Sequence, residues 1–438
     1  MIKNLVKKIR ADVGLKRYFY NTSWLYLVQG VRLLAGFFVG LWLARYLGPS
    51  DFGIYNYVTS FGSIFLSLAI MGVGETLIKK IIENDQDRIA ILNAGFVIRF
   101  VSGVLSICVL IVTLFFLPIE MGIIKLIVVL SPILIFQAFD VVDDFFSARV
   151  MVKESAKWRM TQIILSSFIK IYLIFLGAPV SAFIWMGVFD CFFYSCVIYF
   201  HFSRTFSDFV FLKPNKKIVL LLFQESLPIM VISLSTVLFV RMGQLMLGSM
   251  VSQFELGLYS SAIRIIDMMT IFLAITAQSF FPAIVSAKKT SPEMYLSRFV
   301  SLSRLLVGSA CFMSLGVGLF SKDIITILYG EQYESSHRLL AILSLNTVFV
   351  GMSLISYRWY VVENLQKIMM LKIIGLVFFN FLLNLALIPS YGVVGVAYSS
   401  LISHFVFYFL FELFFKKTRQ CFWINFLINK NASSKLPE

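Results

Sequence analysis

The chain has 438 residues, of which 59% are hydrophobic and only 14% charged, with a mean hydropathy of +0.88 and a formal net charge of +15. A water-soluble chain would carry roughly 25% charged residues, and a soluble core of ordinary shape cannot hide 46 Phe and 6 Trp, so the natural solvent is lipid. The basic residues are spread over many short segments rather than gathered in one patch, which argues against nucleic acid as a partner.

In chain order, the opening MIKNLVKKIRADVGLKRYFY is basic and amphipathic and has no cleavage site after a short apolar region. It reads as an interfacial segment over residues 1–21 rather than a signal peptide. A bilayer core of about 30 Å takes about 20 residues of helix, and every backbone amide in lipid has to be satisfied within the segment, so long apolar runs read as helices. Twelve spans follow, at 22–44, 54–76, 90–116, 123–146, 160–176, 180–202, 219–240, 257–281, 299–320, 337–357, 372–388 and 393–415. With the N-terminus cytoplasmic, the segments on that side hold 28 Lys and Arg and the opposite loops hold five. That asymmetry is the mark of positive-inside insertion and places both termini in the cytoplasm.

The chain also reads as written twice. A shift of 204 lays Asp51-Phe52-Gly53-Ile54-Tyr55 on Glu255-Leu256-Gly257-Leu258-Tyr259, and a shift of 209 lays Ser147-Ala148-Arg149 on Ser356-Tyr357-Arg358. Each half holds six spans, an even number, so the halves share one orientation, as in transporters built from parallel repeats. The expected domains are therefore a six-helix lobe over 22–202, a linker over 203–218, a second six-helix lobe over 219–415 and a tail over 416–438. The fold class is an all-α polytopic membrane protein.

The stretch LARYLGPSDFGIYNYVTSF, the glycine-bearing MGVGETLIKK and the late NLALIPSYGVVGVAYSSLIS resemble the polysaccharide transporter family. These are O-antigen and capsule repeat-unit flippases of the multidrug/oligosaccharidyl-lipid/polysaccharide exporter superfamily. The resemblance implies a V-shaped, two-lobed fold that carries undecaprenyl-pyrophosphate-linked oligosaccharide across the bacterial inner membrane by alternating access. It also implies membrane lipid and the lipid-linked substrate as partners, a polysaccharide polymerase and a chain-length regulator alongside, no cofactor, and coupling to H+ or Na+. A drug/cation antiporter of the same superfamily is the alternative within transporters. A membrane-embedded glycan polymerase or acyltransferase is the alternative among enzymes. No P-loop, HExxH or GxSxG occurs in the sequence, and His201, His337 and His404 are scattered. The five cysteines (108, 191, 196, 311 and 421) lack metal-ligand spacing and read as apolar filler.

Charges inside spans are costly and are functional candidates by default. Arg32 sits near the middle of the first span on a face with Gln29, Gly36 and Gly40, where the glycines read equally as a close-packing stripe. The second span places Asn56, Ser60, Ser63 and Ser67 on one face, and the 204 shift lays them on Ser260, Arg264, Asp267 and Ile271. Arg264 and Asp267 read either as binding groups or as a pair that neutralises itself. Arg99 and Arg304 lie near the cytoplasmic ends of their spans, where snorkelling is the plain alternative. A pyrophosphate and glycan cavity would draw on Arg32, Gln29, Asn56, Ser60, Ser63, Arg264, Arg99 and Arg304, because arginine holds phosphate oxygens bidentately. Ion coupling or gating falls to Lys170 and Asp190, which can meet across a tight hairpin and read either as a plain pair or, at Asp190, as a proton-coupled carboxylate, to Asp267, and to Asp140, Asp143 and Asp144. The last three crowd one helical face, where like charges raise one another's pKa values; the alternative is that they face Arg149 and Lys153 in an inner gate.

Overall fold

A computed structural model describes residues 13–206, 215–288 and 290–425, with the side chains of 13–22, 25 and 425 left aside. Residues 1–12 of the expected interfacial segment, 207–214 of the linker and 426–438 of the tail lie outside the described residues. Nine stretches among the described residues are helical, long and apolar enough to cross a membrane. Two of them are double. Val13–Ile70 is broken at Gly48 (φ 71°) and Gln366–His404 at Gly392 (φ 57°), positive-φ conformations that glycine adopts without steric cost. A further helix, Val152–Phe175, is kept off the apolar count by Lys153, Glu154, Lys157, Arg159 and Lys170, and it completes twelve spans. The fifth span therefore begins about two turns before the expected residue 160.

Large apolar side chains on the outside confirm the solvent. Phe115, Phe116, Phe175 and Phe312 are each about 80% exposed, a surface that water would not tolerate over so many helices.

Packing divides the chain into two compact units. The first comprises residues 1–47 and 57–237, the second 48–56 and 238–438. In the first unit a core of Val73, Leu77, Leu92, Val141, Val142, Phe145, Ile198 and Phe202 joins the second, third, fourth and sixth spans at one end. Seventh-span residues take part, through Leu222 within the core and Glu225, which accepts from Lys80 at 2.8 Å.

The helix boundaries fix the internal register. Arg88–Phe116 and Pro292–Leu319 correspond at a shift of 204, as the sequence echo suggests. Past the loop that follows each of these helices the shift becomes 214. The fourth span loosens at Ser131, whose amide bonds Val128 O, and the tenth at Leu345, whose amide bonds Ile342 O. The fourth ends in a left-handed residue, Val150 (φ 56°), and the tenth in another, Asn364 (φ 55°), each followed by the same closing bond: Met151 N to Phe146 O, and Leu365 N to Tyr360 O. The difference of ten is an extra helix, Ser321–Tyr329, where the first half has only the short loop 117–120. The 209 match of Arg149 with Arg358 is thus out of register, and Arg149 corresponds to Glu363. Each unit ties the loop after its second helix to the loop after its fourth, with charges exchanged. Arg149 donates to Asp85 in the first unit, and Lys288 donates to Glu363 at 3.0 Å in the second.

The same register relates two apolar clefts. One, of about 180 Å³, lies where the fourth span loosens beside Gly187 of the sixth. The other, of about 430 Å³, lies where the tenth loosens beside Leu401 of the twelfth.

Candidate functional site

In the first unit the fourth span is irregular: Met121–Leu130 and Ile133–Phe136 lead into a 3₁₀ turn, Gln137–Asp140, and then Val141–Ala148. The three acids expected together do lie together, on this irregular stretch. Arg149 donates to Asp85 at the helix end. Arg159 of the fifth span meets two of them. Its Nη2 donates to Asp140 Oδ1 at 2.9 Å and to Asp143 Oδ2 at 2.5 Å, and its guanidinium carbon stands 3.4 Å from the centroid of the Tyr194 ring. Tyr194 in turn donates to Asp143 Oδ1 at 2.5 Å, and Gln137 donates to Asp140. Two carboxylates within one helical turn would repel, and one planar cation bridging both removes that cost.

Asp144 pairs instead with Arg99 at 2.7 Å. Arg99 is only 4% exposed, so it is buried in the helix bundle rather than snorkelling. Gly74, from MGVGE, makes room for this pair: a Cβ there would stand 3.0 Å from Arg99 Nη2 and 3.2 Å from both Asp144 oxygens. On the outer side of the cluster Lys170 donates to Asp190 Oδ2 at 2.9 Å, and Ser166 donates to the same oxygen at 2.7 Å.

Arg32 stands beside this array. It is exposed, makes no direct hydrogen bond or ion pair among the described residues, and feels the charges of Arg159, Asp140, Asp143 and Tyr194. Gln29 and Gly36 are exposed with it, whereas Gly40 is buried. A Cβ at Gly36 would meet nothing within 4 Å, so this glycine is not a close-packing contact. On the second span Ser60 is buried and Ser63 half-buried, the latter donating to Ser60 O at 2.8 Å.

In the second unit Asn56 donates to Phe52 O at 2.7 Å, Arg241 donates to Gln244 Oε1 at 3.1 Å, and Gln244 donates to Ser260 at 3.4 Å. Arg264 lies with its guanidinium carbon 6.0 Å from the Phe52 ring centroid. Asp267 lies within the electrostatic reach of both Arg241 and Arg264. Arg304 is exposed, and its neighbour Ser303, fully buried, occupies the place that matches Arg99.

Sequence reading missed Arg159, Tyr194 and Arg241, and also a second buried cluster. Lys372 donates to Glu412 Oε1 at 2.7 Å, with side chains 5% and 0% exposed, and Tyr360 donates to Glu412 Oε2 at 2.7 Å. Arg159 and Lys372 escaped notice because each sits at the edge of an expected span and counted as a loop charge.

No group of three His, Cys, Asp or Glu among the described residues is arranged to hold a metal. What the arrangement offers is buried, exchangeable charge pairs beside an open cation.

Comparison with known proteins bears on the same point. The chain is 27% identical over 195 residues to the "Probable low-salt glycan biosynthesis flippase Agl15" of Haloferax volcanii, covering 44% of this chain and 41% of that protein. It is 26% identical over 184 residues to the capsular polysaccharide biosynthesis protein CapF of Staphylococcus aureus, covering 40% and 44%. The matched stretches thus span under half the length of these relatives. By fold it is similar to an inward-facing multidrug resistance MATE family transporter of the MOP superfamily, with a TM-score of 0.67 at 14% identity over 89% of this chain and 95% of that one. It is equally similar to the lipid II flippase MurJ, with a TM-score of 0.67 at 15% identity over 92% and 89%. The family described as polysaccharide biosynthesis protein matches residues 42–338, more than half of the sequence. The chain is a multi-pass membrane protein of the polysaccharide biosynthesis protein family, with the fold of MOP-superfamily transporters.

Proposed function

We propose that this protein is a flippase that moves undecaprenyl-pyrophosphate-linked oligosaccharide repeat units from the cytoplasmic to the outer leaflet of a bacterial inner membrane, by alternating access, with both termini cytoplasmic. The observation that carries the reading is Arg32, a mid-span arginine with no direct partner beside a charge-balanced array. A lipid-linked pyrophosphate brings about two negative charges, and arginine meets phosphate oxygens with a planar fork. Gln29, Ser60 and Ser63 of the same unit would supply further donors for phosphate and sugar. The relatives named for glycan flipping and capsule synthesis support the substrate class.

Coupling to H+ or Na+ would fall to the acids already balanced by cations: Asp140 and Asp143 on Arg159, Asp190 on Lys170, and Asp267. An incoming proton or cation at any of them frees its partner. The same acids support the second reading, a drug/cation antiporter, because cationic substrates need carboxylates. Against it, each first-unit acid of the cluster is already occupied by a basic side chain. Deleting the gene in its own host and measuring lipid-linked oligosaccharide in the inner leaflet tests the proposal. Accumulation, reversed by the intact chain, is expected; unchanged glycan lipid with altered efflux of cationic dyes would assign the protein to the second class. A purified protein that alters the glycan covalently would make it an enzyme.

A further inference from the structure

The internal register sets three positions of the first unit against three of the second: Gly74 against Gln278, Arg99 against Ser303, and Asp144 against Arg358. The contacts within each unit agree with it. Gly74 stands against Asp144 in the first, and Gln278 stands against Arg358 in the second, where its Oε1 accepts from Arg358 Nη2 at 2.8 Å. The chemistry differs. The first unit closes its cation with an acid, Arg99 on Asp144 at 2.7 Å, beside a glycine at which a Cβ would crowd both partners. The second carries the cation on the other helix, a neutral carboxamide in place of the glycine, and a buried serine in place of the arginine. No acid meets Arg358 among the described residues. Its other contacts are aromatic: the guanidinium carbon lies 5.2 Å from the ring centroid of Phe281 and 5.2 Å from that of Tyr357. The nearest acid along the chain, Glu363, is committed to Lys288 at 3.0 Å and to Tyr295 at 2.6 Å.

An unneutralised arginine in a membrane helix is costly, and ring faces ease that cost without cancelling the charge. Arg358 lies near the end of its helix, Asn346–Val362, about one turn or 6 Å along the axis, which puts its charge at the rim of the apolar span. Its Nε is buried without a hydrogen-bond partner, while Gln278 and Tyr357 are exposed beside it. With Oε1 turned to Arg358, the Gln278 amide keeps its N–H groups for a ligand, and the Tyr357 hydroxyl adds a further donor. Donors gathered around one unbalanced positive charge suit an anion, and the guanidinium fork matches phosphate oxygens. We propose that Arg358, Gln278 and Tyr357 form a binding site for the phosphate of a lipid head group, at the place where the first unit neutralises its own charge. All three residues lie in the second unit. The site stands whether or not the chain is a flippase, because a resident phospholipid and a polyprenyl pyrophosphate present the same group.

The test uses the purified full chain in detergent, titrated with phosphatidylglycerol or with geranylgeranyl pyrophosphate and read by native mass spectrometry. Diacylglycerol is the phosphate-free control. Arg358→Gln should weaken binding of at least one phosphate lipid about tenfold or more, and Arg358→Lys less, since the charge stays and the fork is lost. Gln278→Glu is the decisive variant. It keeps Arg358 and its hydrogen bond but supplies the missing acid, so the site closes on itself as Arg99 and Asp144 do. Loss of phosphate-lipid binding in this variant, at a melting temperature no lower than native, is expected; a guanidinium kept only for packing would leave binding unchanged. If Arg358→Gln is too unstable to purify, Gln278→Glu decides alone. Loss confined to phosphatidylglycerol assigns the site to a resident lipid, and loss confined to the pyrophosphate assigns it to a polyprenyl lipid. Equal loss of diacylglycerol overturns the site. Native binding of both phosphate lipids in the variants also overturns it, without touching the flippase reading, which Arg32→Ala tests separately.

Discussion

Lys372 and Glu412 meet at 2.7 Å with side chains 5% and 0% exposed, and Tyr360 closes the second carboxylate oxygen. The twelfth span gives up regular helix to make this contact. After His404 it passes through a π segment, Phe405–Phe409, and a 3₁₀ turn, Leu410–Leu413, which together carry Glu412. Removing one partner of a buried pair leaves an unpaired charge and costs about 3–5 kcal/mol, whereas replacing both with apolar groups of similar volume is often neutral. Lys372→Met and Glu412→Leu, each alone, should therefore lower membrane protein level sharply, and the double variant should recover most of it. A double variant as poor as the singles would show that the pair does more than fill the core.

Arg159 makes a related case with a different signature. It serves two acids, so removing it leaves Asp140 and Asp143 facing each other. Arg159→Gln is expected to impair export, and Asp143→Asn added to it should recover part of the loss by removing one of the two charges. If the added substitution deepens the loss instead, Asp143 acts on its own rather than through Arg159.

How far the sequence goes is visible in these two pairs. Composition, span number and family follow from long apolar runs and a few glycine-bearing turns, signals that survive an error of a turn in any boundary. The pairs do not survive it. Arg159 lies one residue before the expected fifth span, and Lys372 at the first residue of the expected eleventh, so both read as solvated loop charges. The helices begin earlier, at Val152 and Gln366, because buried partners on neighbouring helices remove the cost that a hydropathy window assigns to them. The 209 match failed for a different reason: two identities, Ser147 with Ser356 and Arg149 with Arg358, cannot compete with a ten-residue insertion that no local pattern announces. Conversely, Lys170 and Asp190 met as expected, since the hairpin between them is too short for any other register.

The two loop tethers predict a charge-order experiment. Arg149 with Asp85 and Lys288 with Glu363 occupy matching places with opposite polarity. Arg149→Glu alone should loosen the first tether by setting two acids together, and Asp85→Lys added to it should restore it by copying the second unit's order. Thermal unfolding in detergent reads the difference. The pH dependence has a definite sign. The hydrogen bond from Arg149, and then that from Arg88, holds the Asp85 carboxyl below its ordinary range. A depressed carboxylate contributes stability above its unfolded pKa of about 3.9 and loses it as pH falls through the lower folded value. The tether should therefore hold unchanged from about pH 8 down to about pH 5 and weaken only in stronger acid. A melting temperature already falling between those two values, and only when Asp85 is present, would contradict this.

Arg32 gives the sharpest functional prediction. A mid-span arginine costs about 2.5–3.5 kcal/mol on insertion scales, which is tolerated where the group faces a cavity or a partner. Among the described residues Arg32 has no direct partner, its neighbours Gln29 and Gly36 are exposed with it, and the nearest charges are already committed to Arg159 and Tyr194. Arg32→Ala should abolish glycan export at near-normal protein level. Arg32→Lys should restore part of it, because the charge remains while the planar fork is lost. An arginine kept only for structure would instead lower abundance in both variants, in proportion to lost export. Surface polysaccharide measured against membrane protein level separates the two outcomes, and full export with alanine at position 32 would remove this residue from the substrate path.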